Sequence, residues 1–296
     1  MKGLGLRSLR SRGAVFAWLL LAMTLAPGCA GVGENLRGPA GGPNGGAAGP
    51  AWRFDGAGSE STLGRVWSQA ETGLASLPGV LWDDTKAVAS RPANLAALLA
   101  MAGGSIAIRQ TGVDDRASRH MTTHRVLHGR GDEAVQLLGT PGTHFTAASL
   151  WYLTSAARDD GASLEKAGTM ISALCITGLT TVGLKLAVWD ECPNGKYFGW
   201  PSGHTASSFT VASVLDEQYG PKVGIPAYLA ASFVGFRMLD AGDHWLSDVL
   251  FGAVLGWVVG HSVAQHHAEL TVGGMTMTPF VDPETGSVGL SLFRTF

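Results

Sequence analysis

Pro201-Ser202-Gly203-His204-Thr205 stands at the head of the apolar run 205–215, and this junction decides how the chain is read. Proline and serine suit the entry of a helix. Glycine lets a ligand come close to the backbone. The free amides of a first helical turn, with the positive end of the helix dipole, make a seat for an anion, and His204 falls beside that seat. Working outward, 205–215 is one of six apolar runs, with 94–108, 144–157, 168–189, 225–236 and 245–261. Each is bounded by polar or turn residues, so the expected fold is an all-α bundle of about six main helices. The stretch 67–77 is weakly amphipathic, Pro92 suits the opening of a helix, and 109–133 reads as a polar surface helix or loop. Several runs fall between the length of a buried helix and a clean span of ~20 residues, so the pattern leaves open whether they cross lipid. Glycine and threonine inside 168–189 favour close helix packing in either setting. Near the end, 274–280 and 288–296 flank Asp282-Pro283-Glu284-Thr285-Gly286, a β-hairpin signal.

The chain has 296 residues, a net charge of −2 and 15% charged residues. Without a basic excess, nucleic acid is not expected as a partner. Three cysteines are too few for a disulfide scaffold. A Cys175–Cys192 bridge would have to span much of a helix, and Cys175 reads as a small buried apolar residue. Lys2, Arg7, Arg10 and Arg12 precede the apolar run 14–25, the pattern of an export signal. The segment closes Leu25-Ala26-Pro27-Gly28-Cys29, which resembles a bacterial lipoprotein signal and makes Cys29 the expected lipidation site. The domain reading is therefore 1–29 signal, 30–58 flexible Gly/Pro-rich linker, 59–268 folded body, and 269–296 tail or hairpin.

A second constellation is His244-Trp245-Leu246-Ser247-Asp248. Spacing of i and i+4 places histidine and aspartate on one helix face. A carboxylate there fixes the imidazole tautomer and leaves the other nitrogen free to attack. Two isolated cations join them: Arg237, and Lys185 inside an uncharged run. A charge in an apolar helix needs a partner, and phosphate would supply one.

Taken together, these segments resemble the signature of the type 2 phosphatidic acid phosphatase superfamily, which also holds bacterial acid phosphatases and vanadium haloperoxidases. Its pattern is lysine, six residues, Arg-Pro; then Pro-Ser-Gly-His; then Ser-Arg, five residues, His, three residues, Asp. The chain supplies Lys185 with Cys192-Pro193, Pro201-Ser202-Gly203-His204, and Phe236-Arg237 with His244 and Asp248. The resemblance implies that His244 attacks phosphorus, Asp248 orients it, and His204 protonates the leaving oxygen and later activates water. It implies that Lys185, Ser202, the Gly203 amide and Arg237 hold the phosphate, with no metal and no cofactor required. Three departures stand out. Cys192 replaces an arginine, with Lys196 near enough to compensate; Phe236 replaces serine; one extra residue separates Arg237 from His244, and Asp240 or Asp243 could cap that arginine.

The expected activity is a phosphomonoesterase or pyrophosphatase acting on a phospholipid or polyprenyl phosphate. The rivals are a catalytically weak phospholipid-binding envelope protein and, less favoured, a vanadium-dependent haloperoxidase. The expected location is the bacterial envelope, periplasm-facing, lipid-anchored or integral, with the outer membrane slightly favoured. His120, His124 and His128 fall at i, i+4 and i+8, a polar face that could meet lipid headgroups or, less readily, hold a metal. Trp189, Trp200 and Trp245 are candidates for the mouth of the site or a membrane interface, with core packing as the alternative.

Overall fold

The computed structural model describes all residues except 1–61, 270, 273–274, 282–287 and 294–296. The export signal, Cys29 and the linker lie outside the described residues. Nine helices are present among those described: α1 (Thr62–Ala89), α2 (Pro92–Gln110), α3 (Val113–Thr123), α4 (Gly129–Gly139), α5 (Pro141–Ala157), α6 (Gly161–Val188), α7 (Gly203–Tyr219), α8 (Pro221–Asp240) and α9 (Leu246–Glu269). The fold is the expected all-α bundle. The six apolar runs are α2 and α5 to α9. A seventh long helix, α1, runs straight through Pro78, where the sequence showed only the weak pattern of 67–77. The polar stretch 109–133 resolves into the C-terminal turn of α2, the short helix α3 and the start of α4.

Helix ends follow from local chemistry. Pro92, Pro141 and Pro221 open α2, α5 and α8, where a missing amide hydrogen costs nothing. The Asp160 carboxylate accepts from the Ser163 amide at 3.1 Å and caps α6. Beyond α9, β1 (Thr271–Val272), β2 (Met275–Val281) and β3 (Val288–Phe293) form an antiparallel sheet in the order β1-β2-β3. Val281 stands opposite Val288, so the expected hairpin pairs, with β1 as an additional edge.

The core gathers around α9. Leu255, Val258, Val259 and Val263 are at most 2% exposed and pack with Ala206 and Val214 of α7 and Ala173 and Leu174 of α6. A stripe of α9 is made of glycines, Gly252, Gly256 and Gly260. A Cβ at Gly252 would lie 2.7 Å from the Ser202 carbonyl oxygen, one at Gly256 would overlap the Ala206 carbonyl oxygen, and one at Gly260 would lie 2.7 Å from the Thr210 carbonyl oxygen. Glycines four apart on α9 thus meet backbone four apart at the start of α7, and the two helices touch main chain to main chain. This contact sets the start of α7 against the start of α9.

Among the described residues three helices are long and apolar enough to cross a membrane: α2, α6, and Leu246–Ala268 of α9. The protein itself covers 67% of the α9 segment but only 6% of the α2 segment. Leu95, Leu99 and Ile106 of α2, and Leu179, Val182 and Leu186 of α6, face outward. Apolar surface left uncovered on this scale belongs against lipid, and the chain is membrane-associated.

Candidate active site

At one end of the bundle the C-termini of α6 and α8 meet the N-termini of α7 and α9. His244 lies just before α9, 8% exposed, with Nδ1 3.2 Å from Oδ2 of the fully buried Asp248. The same carboxylate oxygen accepts from the Trp245 amide at 3.1 Å, so Asp248 also closes the first turn of its helix. With Nδ1 turned to the carboxylate, Nε2 is the nitrogen left to meet a ligand. The Ser202 amide donates to the Asp248 carbonyl at 3.1 Å, which locks the entry of α7 onto α9.

The other oxygen of Asp248 is held by Arg109, Nη2 to Oδ1 at 3.2 Å. The same guanidinium pairs with Asp190 and lies 3.6 Å from Asp114. Asp190 accepts from the Trp200 amide at 2.7 Å, and Asp114 accepts from the Ser247 amide and hydroxyl at 2.9 and 2.6 Å. Arg109, Asp114 and Asp190 thus bind α2, α3 and the 189–202 loop to the carboxylate beneath His244. Sequence reasoning missed all three. Arg109 carried a usable signal, because it is a lone cation closing an apolar run, the same signal that singled out Lys185.

The 189–202 loop is tightly wound, with Trp189 at φ 50° and Phe198 at φ 72°, left-handed conformations that bulky residues adopt rarely. Lys185 Nζ donates to the carbonyls of Phe198 and Gly199 at 2.5 and 3.1 Å and ties this loop down. Gly199 is where the loop passes the site: a Cβ there would sit 3.3 Å from both Asp248 Oδ2 and Cys192 Sγ. Burial, and then the neighbouring Asp248 charge, push the Cys192 thiol up to about 11, so it stays neutral where an arginine was expected. Lys196 is exposed in the turn closed by the Cys192 amide donating to its carbonyl at 2.7 Å. Cys175 and Cys192 are both free thiols.

Arg237 is 4% exposed and fully engaged. It grips Asp132 of α4 with two bonds of 2.8 and 2.9 Å, donates to Gln136 at 3.3 Å, and pairs with Asp243. The Arg237 hydrogen bond holds the Asp132 carboxyl below its usual range. The extra residue before His244 is taken up in a turn where the Asp243 and His244 amides both donate to the Met238 carbonyl. Of the two expected caps, Asp243 meets the arginine. Asp240 instead accepts from the Val126 and Leu127 amides at 2.7 and 2.9 Å.

His204 occupies the first turn of α7. The Ser202 hydroxyl at its N-cap is fully buried, 3.0 Å from Thr205 Oγ1 and 3.5 Å from the Thr205 amide. Burial first, then electrostatic interaction with His244 and with the Arg237 guanidinium, pushes His204 from 6.5 down to about 4, so it rests neutral at pH 7. A histidine whose folded pKa is depressed supports folding above its unfolded pKa, and that support is lost as pH falls through the folded value. For His204 the window runs from 6.5 to about 4 and amounts to about 3 kcal/mol. The expected outcome is that the loss of thermal stability between pH 7.5 and 4.5 shrinks in His204→Gln. An undiminished loss would show that His204 is not the group responsible.

One other expectation changes, and the tryptophans divide between the two readings left open. The histidine stripe breaks: α3 ends at Thr123, and His128 lies beyond it as the residue preceding α4. His120 and His124 remain neighbours, ring centroids 4.7 Å apart, on an exposed surface. Of the three tryptophans, Trp200 packs inward on Phe251 at 4.2 Å, whereas Trp189 stays 55% exposed and Trp245 donates to the Glu191 carbonyl at 2.7 Å.

The chain is similar to several known proteins. Over 64 residues, 21% of the chain, the sequence is 42% identical to lipid A 1-phosphatase of Porphyromonas gingivalis, and that match takes in 14% of the relative's length. The crystal structure of the first transmembrane PAP2-type phosphatidylglycerolphosphate phosphatase from Bacillus subtilis superposes with a TM-score of 0.52 at 18% identity, covering 60% of this chain and 98% of that one. LpxE of Aquifex aeolicus gives a TM-score of 0.44 at 22% identity, covering 52% of this chain and 95% of that one. The profile of the PAP2 superfamily matches residues 139–271, which hold Lys185, His204, Arg237, His244 and Asp248. Over residues 139–271, just under half of its length, the chain is similar to the PAP2 superfamily.

Proposed function

We propose that the chain is a phosphatase that releases phosphate from a lipid phosphate through a phosphohistidine on His244. One observation carries this reading: His244 is backed by the buried Asp248 at 3.2 Å, in a site where His204 heads the abutting helix α7. His244 Nε2 attacks phosphorus, and a P–N bond forms as the P–O bond to the lipid breaks. A protonated His204 gives its proton to the departing oxygen. Water then attacks phosphorus, His204 takes its proton, the P–N bond breaks, and inorganic phosphate leaves with His244 restored. His204 is neutral at rest, and a bound phosphate's negative charge raises its proton affinity as the first step requires.

In this reading Lys185, Ser202, the Gly203 amide and Arg237 receive the phosphate oxygens, with Lys196 as a further candidate at the loop. Arg109 is a positioning residue: it holds Asp248 Oδ1 from the side away from His244. Charge stabilisation is assigned to side chains and amides, and no step draws on a metal.

Support for a lipid substrate comes from the rim. Leu186, Val188, Trp189 and Tyr197 are all exposed at the site end, the mixture found where a protein meets the headgroup layer. The identity to a lipid A phosphatase agrees, and a phospholipid or polyprenyl phosphate would present the same group at the same depth. We place the protein in the bacterial envelope with this end facing the periplasm, in the outer membrane if Cys29 is lipidated. Recovery from inner-membrane fractions alone would overturn the outer-membrane part.

The experiment is a phosphohistidine trap. His204→Ala, given an aryl phosphate whose leaving group needs no protonation, is expected to build up a base-stable, acid-labile phosphoenzyme that the wild type turns over. Absence of phosphoenzyme in both proteins, together with phospholipid binding, would replace this reading with that of a binding protein.

A further inference from the structure

We propose that Asp84, His266 and His267 form a divalent-metal site of the zinc class at the end of the bundle opposite the reaction site. Asp84, near the C-terminus of α1, is 0% exposed; His266 and His267 are consecutive near the end of α9, and His267 is 4% exposed. Consecutive helical residues diverge by about 100°, yet both rings turn to the one carboxylate, because Asp84 sits between them. Asp84 Oδ1 is 2.8 Å from His266 Nδ1, and Oδ2 is 3.1 Å from His267 Nε2. The three ligand atoms lie within 4.8 Å of one another. Tetrahedral zinc with bonds of about 2.0–2.2 Å sets its donors about 3.4 Å apart, so the site closes by an imidazole rotation of up to about an ångström.

The surroundings fit a metal as well as the donors do. The Ser172 hydroxyl of α6 donates to Asp84 Oδ2 at 2.5 Å, the outer-shell bond that orients a ligating carboxylate. Among the described residues His267 Nδ1 is buried without a hydrogen-bond partner, so the ring's polar anchor there is what Nε2 meets. The His266 side chain is 23% exposed, which gives an ion a way in and leaves one coordination position open to water. Two imidazoles and one carboxylate are a donor set for zinc or a neighbouring transition metal rather than for calcium or magnesium.

Eighteen residues of α9 separate Asp248 from His266, about 27 Å at the helical rise, so this site takes no part in the proposed phosphoryl transfer. Its ligands come from α1 and α9, with α6 behind them. A bound ion would clamp α1, the first described helix, onto the centre of the bundle.

The test uses the full chain in detergent, stripped with a chelator, dialysed, and titrated with zinc, with metal content read by mass spectrometry. The expected result is one zinc per chain, weakened at least about 100-fold in Asp84→Asn, the upper end of what losing an outer-shell partner alone costs. His266→Gln removes a partly exposed ring, and its circular dichroism checks that the helices survive if Asp84→Asn does not fold. His120→Ala, in the exposed His120–His124 pair, should bind zinc as the wild type does. No zinc in the wild type, or zinc unaffected by His266→Gln, or zinc lost in His120→Ala, would overturn the proposal and leave Asp84 as the acceptor of a hydrogen-bonded cluster. None of these readouts depends on phosphatase activity.

Discussion

His244→Ala is expected to lower phosphate release by at least about 10⁴-fold on every substrate the wild type accepts, because removing a nucleophile removes the pathway and not one contact within it. The substitution should leave lipid binding close to wild type. Asp248 keeps Arg109 at 3.2 Å and the Trp245 amide at 3.1 Å, so the carboxylate is not abandoned when the imidazole goes. Saturating-rate assays beside a lipid-binding measurement separate the two effects. Activity within tenfold of wild type would remove His244 from the mechanism. A loss of folding in place of a loss of rate would show that its contact with Asp248 is chiefly structural.

The second large effect is expected at a glycine. Gly256→Ala adds a single methyl group to a helix, and in an open position that change stabilises by up to about 1 kcal/mol. Here the Cβ would overlap the Ala206 carbonyl and stand 2.9 Å from both the Phe209 Cβ and the Thr210 amide nitrogen. Main chain cannot swing aside as a side-chain tip can, so α7 and α9 must separate, at a cost of about 3 kcal/mol. Activity should fall with stability, since the same contact sets His204 against His244. Gly183→Ala on α6 is the control, for its Cβ would meet nothing within 4 Å. Equal melting temperatures for the two variants would mean that α7 and α9 are not in backbone contact.

The two motifs were legible because their chemistry is local. A helix entry announces itself within five residues, and a His-Asp pair within one turn. The apolar runs were legible because burial and lipid both demand them. What escaped the sequence depends on residues brought together across the fold. Arg109 lies 139 residues from Asp248, and Asp132 lies 105 residues from Arg237. No periodicity joins such pairs. α1 was half seen because its apolar pattern is weak and Pro78 argues against a helix until packing on α6 and α9 overrides it. The glycines at 252, 256 and 260 were readable in principle, since their spacing is regular, but an apolar run hides small residues that work by being absent.

Arg237 has a consequence for what the site can select. Its guanidinium is already neutralised by Asp132 and Asp243, so a phosphate reaching it, as proposed above, enters by ion exchange and not by filling an empty cradle. The net gain is the difference between two anions on one cation. A singly charged phosphodiester would displace a carboxylate for little return, whereas a doubly charged phosphomonoester has the charge to compete. Because the Arg237 bond holds Asp132 below the usual carboxylate range, mild acid does not loosen the incumbent. The protein would then filter its substrates by charge through a competitor it carries within its own fold.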